Sequence, residues 1–400
     1  QMDEAAKISK EVAGILRHPL THRSENEKLI LQLIRHSGAM PKADIARSTD
    51  LSAQAVSVNI NRLLDLGLVH KKESQRGKVG QPSTPISLSP GGVYSLGVKI
   101  GRQTTQVLLI NFVGEVCADR KFEYSAPVVN EVLSNIKRMI DEIVGEFDPE
   151  VTDKIIGVGL AQPFRLDEWS DELGVNPALL DDWAEVNAAQ ELQASLKRPI
   201  YSINDATAAC LAEMVVSPGA NRSSFLYIYI GTFVGGGLVI DGRLHQGASG
   251  NAGALGSQLV FVPGKVEPQQ LISVASRFHL ERDLQKQEMG IDSEGALESA
   301  AFVEWVENAA FALAQTIISS SALVELDRVV LDSSLPDKLL DAIVASTERA
   351  LEQIISTGVT LPIVEKGHLG SIGSGLGGAL LPICSEFTMM NQTAEPSFNA

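Results

Sequence analysis

At 400 residues the chain is too long for one ordinary hydrophobic core and suits two or three domains. Apolar residues make up 44% of it, yet no run approaches the ~20 apolar residues of a membrane span, and no hydrophobic signal core is found near its start. The three cysteines, Cys117, Cys210 and Cys384, form no CxxC pair and suit a reducing compartment, so we expect a cytoplasmic protein without a membrane partner.

Charge is divided unevenly along the chain. The whole chain has 33 Lys and Arg, 49 Asp and Glu, and a net charge of −16. Residues 1–90 hold 13 of the basic and 9 of the acidic residues, which leaves 20 basic and 40 acidic residues for the rest. Because phosphate repels an acidic body, only the N-terminal part is suited to contact nucleic acid.

Three helices are predicted near the start of the chain. Apolar residues follow helical spacing over residues 26–37, which predicts the first helix. Pro41 opens a second, short helix that ends near Thr49, because proline at the first turn loses no hydrogen bond. Ser52 caps a third helix, which Gly67 stops.

A basic hairpin is predicted after the third helix. Residues 68–72 and 86–88 read as two strands, with Gly77 and Gly80 in the turn between them. Three helices followed by such a hairpin are typical of a winged helix-turn-helix, here residues 20–90.

The third helix has two different faces. The apolar side chains that face the core of the module are Val56, Ile60, Leu63 and Leu64. A second face, hereafter the reading face, has side chains suited to base edges in a major groove: Gln54, Ser57, Val58 and Asn61. The basic residues expected to contact phosphates are Arg62, Lys71, Lys72, Arg76 and Lys78. Each residue alone also fits a solvated polar surface, but the combination favours DNA binding.

The segment Pro90-Gly91-Gly92 marks a domain boundary, beyond which strands and helices alternate. The predicted strands are 95–100, 107–111, 155–160, 200–203, 225–230 and 237–240. The predicted helices are 130–147, 183–196, 294–323 and 337–356. This alternation predicts an α/β fold in two lobes.

Two glycine-rich turns stand out in the second part of the chain. Residues 229–242 read as a strand, a Gly-Thr turn and a strand, whose backbone N–H groups can approach an anion. Residues 372–378 open a helix, whose N-terminus can approach a nucleotide. Glycine turns also simply join strands, so neither turn alone indicates a ligand.

These motifs together resemble the ROK family, which comprises sugar kinases and sugar-responsive repressors. The segments that carry the resemblance are 203–206, 231–242, 245–248 and 252–256, and it covers about residues 20–390. The resemblance implies a two-lobed actin-like ATPase fold for residues 93–400. The implied lobes are about 93–203 with the C-terminal end, and about 204–384.

Several positions depart from the pattern of the family's kinases. The Asp of the first-strand turn, which positions magnesium and ATP, is Lys99 here, and a glycine of that turn is Arg102. The family's sugar-binding Glu is replaced by Ala254, its zinc-binding His by Ser257, and its cysteine cluster is absent. We therefore expect no metal, no cofactor and no kinase activity.

The Asn204-Asp205 pair retains the family's pattern, in which the matching Asp is the general base. Here Asp205 is predicted to bond a ligand hydroxyl, or else only to cap a helix beginning at Ala206. The resemblance implies a ligand site made of Asn204, Asp205, Gly231, Thr232, Gly235, Gly236, Gly253 and Lys99.

Two interpretations of Lys99 stay open, and both place it across the cleft from Asp205. Lys99 either pairs with a carboxylate and fills the lost nucleotide site, or leaves the site cationic together with Arg102. The second interpretation favours a sugar phosphate or sugar acid over a neutral sugar.

The sequence as a whole predicts a DNA-binding transcriptional regulator of carbohydrate-related genes, with repression favoured over activation. Its expected partners are double-stranded operator DNA and a small carbohydrate-type effector. A homodimer or tetramer is expected because paired recognition helices match a palindromic operator. The alternatives are an active sugar kinase with an accessory DNA-binding module, and a ligand-independent DNA-binding or scaffold protein.

Overall fold

The computed structural model describes residues 18–73, 84–163, 166, 176–217 and 223–389. It divides the chain into two units, the first formed by residues 1–205 and 375–400 and the second by residues 206–374. Within the described residues, no helix is both long and apolar enough to cross a membrane.

The first unit begins with a module of three helices and a hairpin. Its elements are α1 (Glu25–Ser37), α2 (Lys42–Thr49), α3 (Ala53–Asp65), β1 (Val69–Lys71) and β2 (Ile86–Leu88), with β1 and β2 antiparallel. Ser24 and Glu27 form a reciprocal capping box at the start of α1, and the Ser52 hydroxyl caps α3. The predicted winged helix-turn-helix is confirmed. Pro41, expected inside the second helix, is instead the residue before it.

A five-stranded mixed sheet follows in the same unit. Its strands are β3 (Tyr94–Ile100), β4 (Thr104–Asn111), β5 (Val116–Glu123), β6 (Ile155–Gln162) and β7 (Ile200–Asn204). Their order is β5-β4-β3-β6-β7, with β6 parallel to both β3 and β7. Sequence analysis did not predict β5, because exposed polar residues interrupt its apolar pattern.

Helices cover this sheet: α4 (Val129–Glu146), α5 (Pro149–Thr152) and α6 (Ala188–Leu196). The apolar side of α4 shares a core with Leu96 and Val98 of β3. The predicted helix 183–196 is shorter than expected, because the Asn187 side chain caps a new start by accepting from Gln190 N–H at 3.2 Å.

The second unit contains most of α7 (Asp205–Val216) and another five-stranded sheet. In chain order its further elements are β8 (Phe225–Ile230), β9 (Val234–Ile240), β10 (Arg243–His245), β11 (Leu259–Val260), β12 (Gln269–Gln270), α8 (Leu271–Ala275), α9 (Arg277–Gln285), α10 (Ala300–Leu323), β13 (Arg328–Ser333), α11 (Asp337–Gln353) and β14 (Ile363–Lys366). The larger sheet has the order β10-β9-β8-β13-β14, while β11 and β12 pair separately. The predicted α/β fold is therefore confirmed.

The last helix, α12 (Gly373–Phe387), returns to the first unit. It packs directly on the backbone of β3, because a Cβ atom on Gly97 would lie 2.5 Å from both the Ala379 nitrogen and the Gly375 oxygen. Only glycine permits this approach. Since side chains alternate along a strand, Lys99 lies on the same face of β3 as Gly97.

Candidate functional site

The reading face of α3 is open to solvent. Gln54 and Asn61 are exposed, Ser57 is half-buried, and Val58 keeps 53% of its surface exposed. On the opposite side Val56, Ile60 and Leu63 are fully buried, whereas Leu64 is half-buried. An exposed valine between polar side chains does not serve the core, so this face is available to a partner.

A residue that sequence analysis missed contacts the reading face. Lys42, the first residue of α2, places its Nζ 3.3 Å from Ser57 Oγ and 3.1 Å from Asn61 Oδ1. The sequence feature that could have identified Lys42 is its position: it is a basic residue directly after Pro41, at the start of the helix that precedes α3. Periodicity alone does not tell which neighbouring helix such a side chain reaches.

Arg62 has a structural role besides its predicted phosphate contact. Its Nη1 lies 3.5 Å from Glu27 Oε1, although its side chain remains 59% exposed. Glu27 is buried and also accepts from the Ser24 backbone N–H at 2.8 Å. The ion pair therefore joins α3 to the start of α1 and leaves much of the guanidinium in solvent.

The remaining predicted phosphate contacts belong to the hairpin. Lys71 and Lys72 are exposed at β1 and just after it. Arg76 and Lys78 lie outside the described residues, so their positions stay predictions.

Lys99 lies at the end of β3, where its strand neighbours are Gln106 and Ala161. Burial of its ammonium group lowers the pKa of Lys99, and the nearby charge of Asp205 partly opposes this. Lys121 and Arg102 lower the pKa further by like-charge repulsion. The expectation that Lys99 faces Asp205 across a cleft is wrong: β3 and β7 belong to one sheet in one unit, separated only by β6.

Asn204 and Asp205 stand at the junction of β7 and α7. Asn204 is the last residue of the strand and Asp205 the first of the helix, one residue earlier than expected. Both are half-buried. A carboxylate at a helix N-terminus is stabilised by the helix dipole, so this position has a structural role whether or not a ligand binds.

The turn between β3 and β4 is held by Tyr124. Its hydroxyl donates to the Gly101 carbonyl at 2.6 Å and lies 3.0 Å from Thr105 Oγ1. Burial raises the pKa of Tyr124 to about 12, so the hydroxyl stays protonated and able to donate. An open pocket of about 480 Å³ beside this turn is lined by Gln103, Thr104, Glu123 and Tyr124.

The glycine hairpin of the second unit is closed by backbone hydrogen bonds. Gly231 N–H donates to the Phe233 carbonyl at 2.8 Å, so it does not point into an anion cradle. At the start of α9, the Arg277 and Phe278 N–H groups donate to the Gly231 and Thr232 carbonyls at 3.0 and 3.3 Å. A ligand role of Gly231 and Thr232 therefore stays a prediction.

The other predicted glycines permit close packing. A Cβ atom on Gly235 would lie 2.7 Å from Ala206 Cβ, and one on Gly236 would lie 2.5 Å from the Tyr227 oxygen. Gly253 has a φ of +83° and lies against the Gly236 carbonyl, where its own Cβ would approach to 2.9 Å. These glycines are required by packing, and their contact with a ligand is untested.

The residues at the β3 turn do not fit a magnesium–nucleotide complex. Mg²⁺ requires hard oxygen ligands, but this position has the ammonium of Lys99 with Arg102 and Lys121 nearby. Among the residues that the structure describes, no three His, Cys, Asp or Glu side chains group so as to hold a metal ion.

Comparison with known proteins matches both parts of the chain. The ROK family profile matches residues 95–383 and the MarR family profile residues 21–78. Uncharacterized protein y4fQ of Sinorhizobium fredii is 26% identical over 372 residues, 92% of this chain and 93% of that protein. The xylose repressor of Caldicellulosiruptor bescii is 26% identical over 234 residues, and the match spans 58% of this chain and only 57% of that repressor.

A solved structure has a similar fold. It is the crystal structure of a ROK family transcriptional regulator, a homologue of the Escherichia coli MLC protein, with a TM-score of 0.68 and 19% identity. The match covers 91% of this chain and 97% of that chain.

Proposed function

The chain belongs to the ROK family, and on that premise we propose that it is a sugar-responsive transcriptional repressor that binds operator DNA. The observation that carries this proposal is the exposed reading face of α3 within a winged helix-turn-helix. The name of the related xylose repressor supports the response to a sugar.

The chemistry of the reading face supports direct contact with bases. Gln54 and Asn61 can each bond a base edge, and the exposed Val58 suits a thymine methyl group. Lys71 and Lys72 are exposed on the adjacent hairpin, where they suit phosphate contacts that position the module. We propose a symmetric homo-oligomer, because two such modules match the two halves of a palindromic site.

The domain that follows the winged module, residues 93–400, is called the effector domain here, and we propose that it binds a ligand without phosphorylating it. Catalysis by the kinases of this fold needs magnesium and a positioned nucleotide. The ammonium of Lys99 stands where the resemblance expects the aspartate that supports them, and it disfavours a cation there. Asn204, Asp205 and Lys99 are the first-unit residues proposed to contact the effector.

Helix α12 offers a route from that site to the DNA-binding module. Its first half packs on β3, which carries Lys99 two residues beyond Gly97. Its last residue, Phe387, packs edge-on against Phe112 at a centroid distance of 5.1 Å, and Phe112 contacts Arg35 of α1. We propose that effector binding shifts α12 and thereby alters the DNA affinity of the module.

A matched pair of charge substitutions tests DNA binding. Val58→Glu adds an acid to the reading face, whereas Leu323→Glu adds the same charge at a site that is 87% exposed at the end of α10. Both are exposed positions, so both variants should fold. Duplexes selected from a random library by the unchanged protein should lose affinity for Val58→Glu and keep it for Leu323→Glu.

The response to a sugar is tested on the same duplexes. Xylose and other monosaccharides are titrated into the complex, and a repressor should release DNA with one of them. Equal DNA affinity of the two glutamate variants would contradict the proposed role of the reading face, and selection of no sequence would contradict sequence-specific DNA binding. DNA binding unaffected by every sugar would contradict the proposed response.

A further inference from the structure

Lys42 contacts two residues of the reading face at once. Its Nζ lies 3.3 Å from Ser57 Oγ and 3.1 Å from Asn61 Oδ1, two side chains that stand one turn apart on α3. Lys42 is half-buried, so its stem packs along the helices while its charge reaches the surface. A positive charge is thereby placed beside the side chains that would face a base.

These contacts determine which hydrogen-bonding groups are left for a partner. An ammonium group has three donors and no acceptor, so Ser57 Oγ and Asn61 Oδ1 must both accept from Lys42. The Ser57 hydroxyl hydrogen and the two Asn61 amide hydrogens are then directed elsewhere. The reading face thus presents donors around Asn61.

This arrangement changes the base that Asn61 is suited to read. The usual bidentate contact of Asn with adenine uses Oδ1 to accept from N6–H₂ and Nδ2 to donate to N7. In this protein Oδ1 already accepts from a cation, so the adenine amino group meets a competitor. Guanine instead offers two adjacent acceptors, N7 and O6, which match two donors.

We propose that Lys42 is a specificity-determining residue that commits Asn61 to donating and, together with it, selects guanine over adenine in the major groove. The inference rests on the proposed DNA binding and specifies its sequence preference. Thymine is less suited, since it offers the single acceptor O4. A Lys42 that contacted only phosphate would carry no sequence information.

The experiment uses the full-length chain and duplexes selected from a random library. Dissociation constants are measured for the selected duplex and for variants with each base pair exchanged. The proteins compared are the unchanged chain, Lys42→Met, Lys42→Arg and Lys72→Met. Met keeps the length of the side chain but removes the charge, and Lys72 is the matched exposed lysine on the hairpin. Melting temperatures verify that each variant folds.

We expect the unchanged chain to select a guanine in each half-site and to bind about tenfold more weakly when that guanine becomes adenine. Lys42→Met should remove this preference at that one position, because Oδ1 of Asn61 becomes free to accept. Lys42→Arg should retain it, since arginine donates to N7 and O6. Lys72→Met should weaken all duplexes by one common factor.

The outcomes separate this inference from the proposed function. Selection of no sequence at all overturns DNA-binding specificity and the inference with it. Selected sites without such a guanine, or a Lys42→Met effect of the same factor on every duplex, overturn only the inference and leave Lys42 as a phosphate contact.

Discussion

The guanidinium group of Arg35 contacts both the backbone carbonyl and the phenyl ring of Phe112. The Arg35 Nη2 donates to the Phe112 carbonyl at 2.6 Å, and the guanidinium carbon lies 5.1 Å from the centroid of the phenyl ring. Arg35 belongs to α1, whereas Phe112 follows β4 and packs against Phe387 of α12. The backbone N–H of Met389 also donates to Gln32 Oε1 of α1 at 2.9 Å. The three-helix module is therefore attached to both the first sheet and the C-terminal helix.

Replacing Arg35 by Met should weaken this attachment. Loss of the donor to a buried carbonyl costs about 1–3 kcal/mol, which we expect to exceed the gain from no longer burying the Arg35 charge, so the free energy of unfolding should fall in urea titrations. Arg138→Met is the control, because Arg138 is 52% exposed and its contacts, an ion pair with Glu142 and hydrogen bonds to Asn135, all lie on the surface of α4. If α12 transmits the effector signal, Arg35→Met should also reduce the effector's influence on DNA affinity. Equal unfolding free energies for the two variants would refute the attachment.

Lys99→Met should stabilise the protein near neutral pH. Burial lowers the folded-state pKa of Lys99 below its ordinary value of 10.5, so its charged form is disfavoured by folding. This penalty is fully present below the folded-state pKa. It is lost as the pH rises from that pKa to 10.5, because in this interval the folded protein has released the proton and the unfolded chain still holds it. The melting temperature of Lys99→Met should thus exceed that of the unchanged protein at pH 7, and the difference should shrink at alkaline pH. A pH-independent difference would contradict this explanation.

An anionic effector should bind better than a neutral one. Lys121 and Arg102 both act electrostatically on Lys99 at the end of β3, with Asp205 as the opposing charge. Thermal shifts measured with a neutral monosaccharide and with its phosphate ester test this, because a ligand of the folded state raises the melting temperature. Lys99→Met should weaken the phosphate ester about tenfold, roughly 1.4 kcal/mol. If the best ligand is neutral and its affinity is unchanged by this substitution, Lys99 only occupies the former nucleotide site.

Purified protein should produce no ADP from ATP and common sugars. The reason is the ammonium of Lys99 at the position where magnesium would need an oxygen ligand. A coupled assay detects activity far below the ~1–100 s⁻¹ of ordinary kinases. Turnover in that range, or one tightly bound zinc per chain in metal analysis, would contradict a non-catalytic effector domain.

Local signals in the sequence were sufficient to predict the helices whose ends are marked by capping residues. Ser52 at the start of α3 and Gly67, with a φ of +70°, beyond its end bounded the third helix, and apolar spacing identified its buried side. Strand β5 escaped prediction because its apolar residues do not alternate regularly with polar ones: Val116, Cys117 and Ala118 are consecutive and three polar residues separate them from Phe122. Its Lys121 was therefore missed as a neighbour of Lys99. Strand β13, a short apolar run between two long helices, was missed as well.

The sequence by itself determined the kind of protein: a basic winged module, an acidic α/β body, and a cation where the resemblance to the family's kinases implies an acid. Those features depend on composition, capping and motif residues, which are local. Only the tertiary structure decided which distant residues meet. Lys99 and Asp205 lie 106 positions apart in the chain, yet Lys99 is on β3 and Asp205 directly follows β7 of the same sheet, so that their charges interact. Arg35 likewise contacts Phe112, and Lys42 contacts Asn61. Such pairs depend on strand order and helix packing, which bring together residues that no local pattern connects.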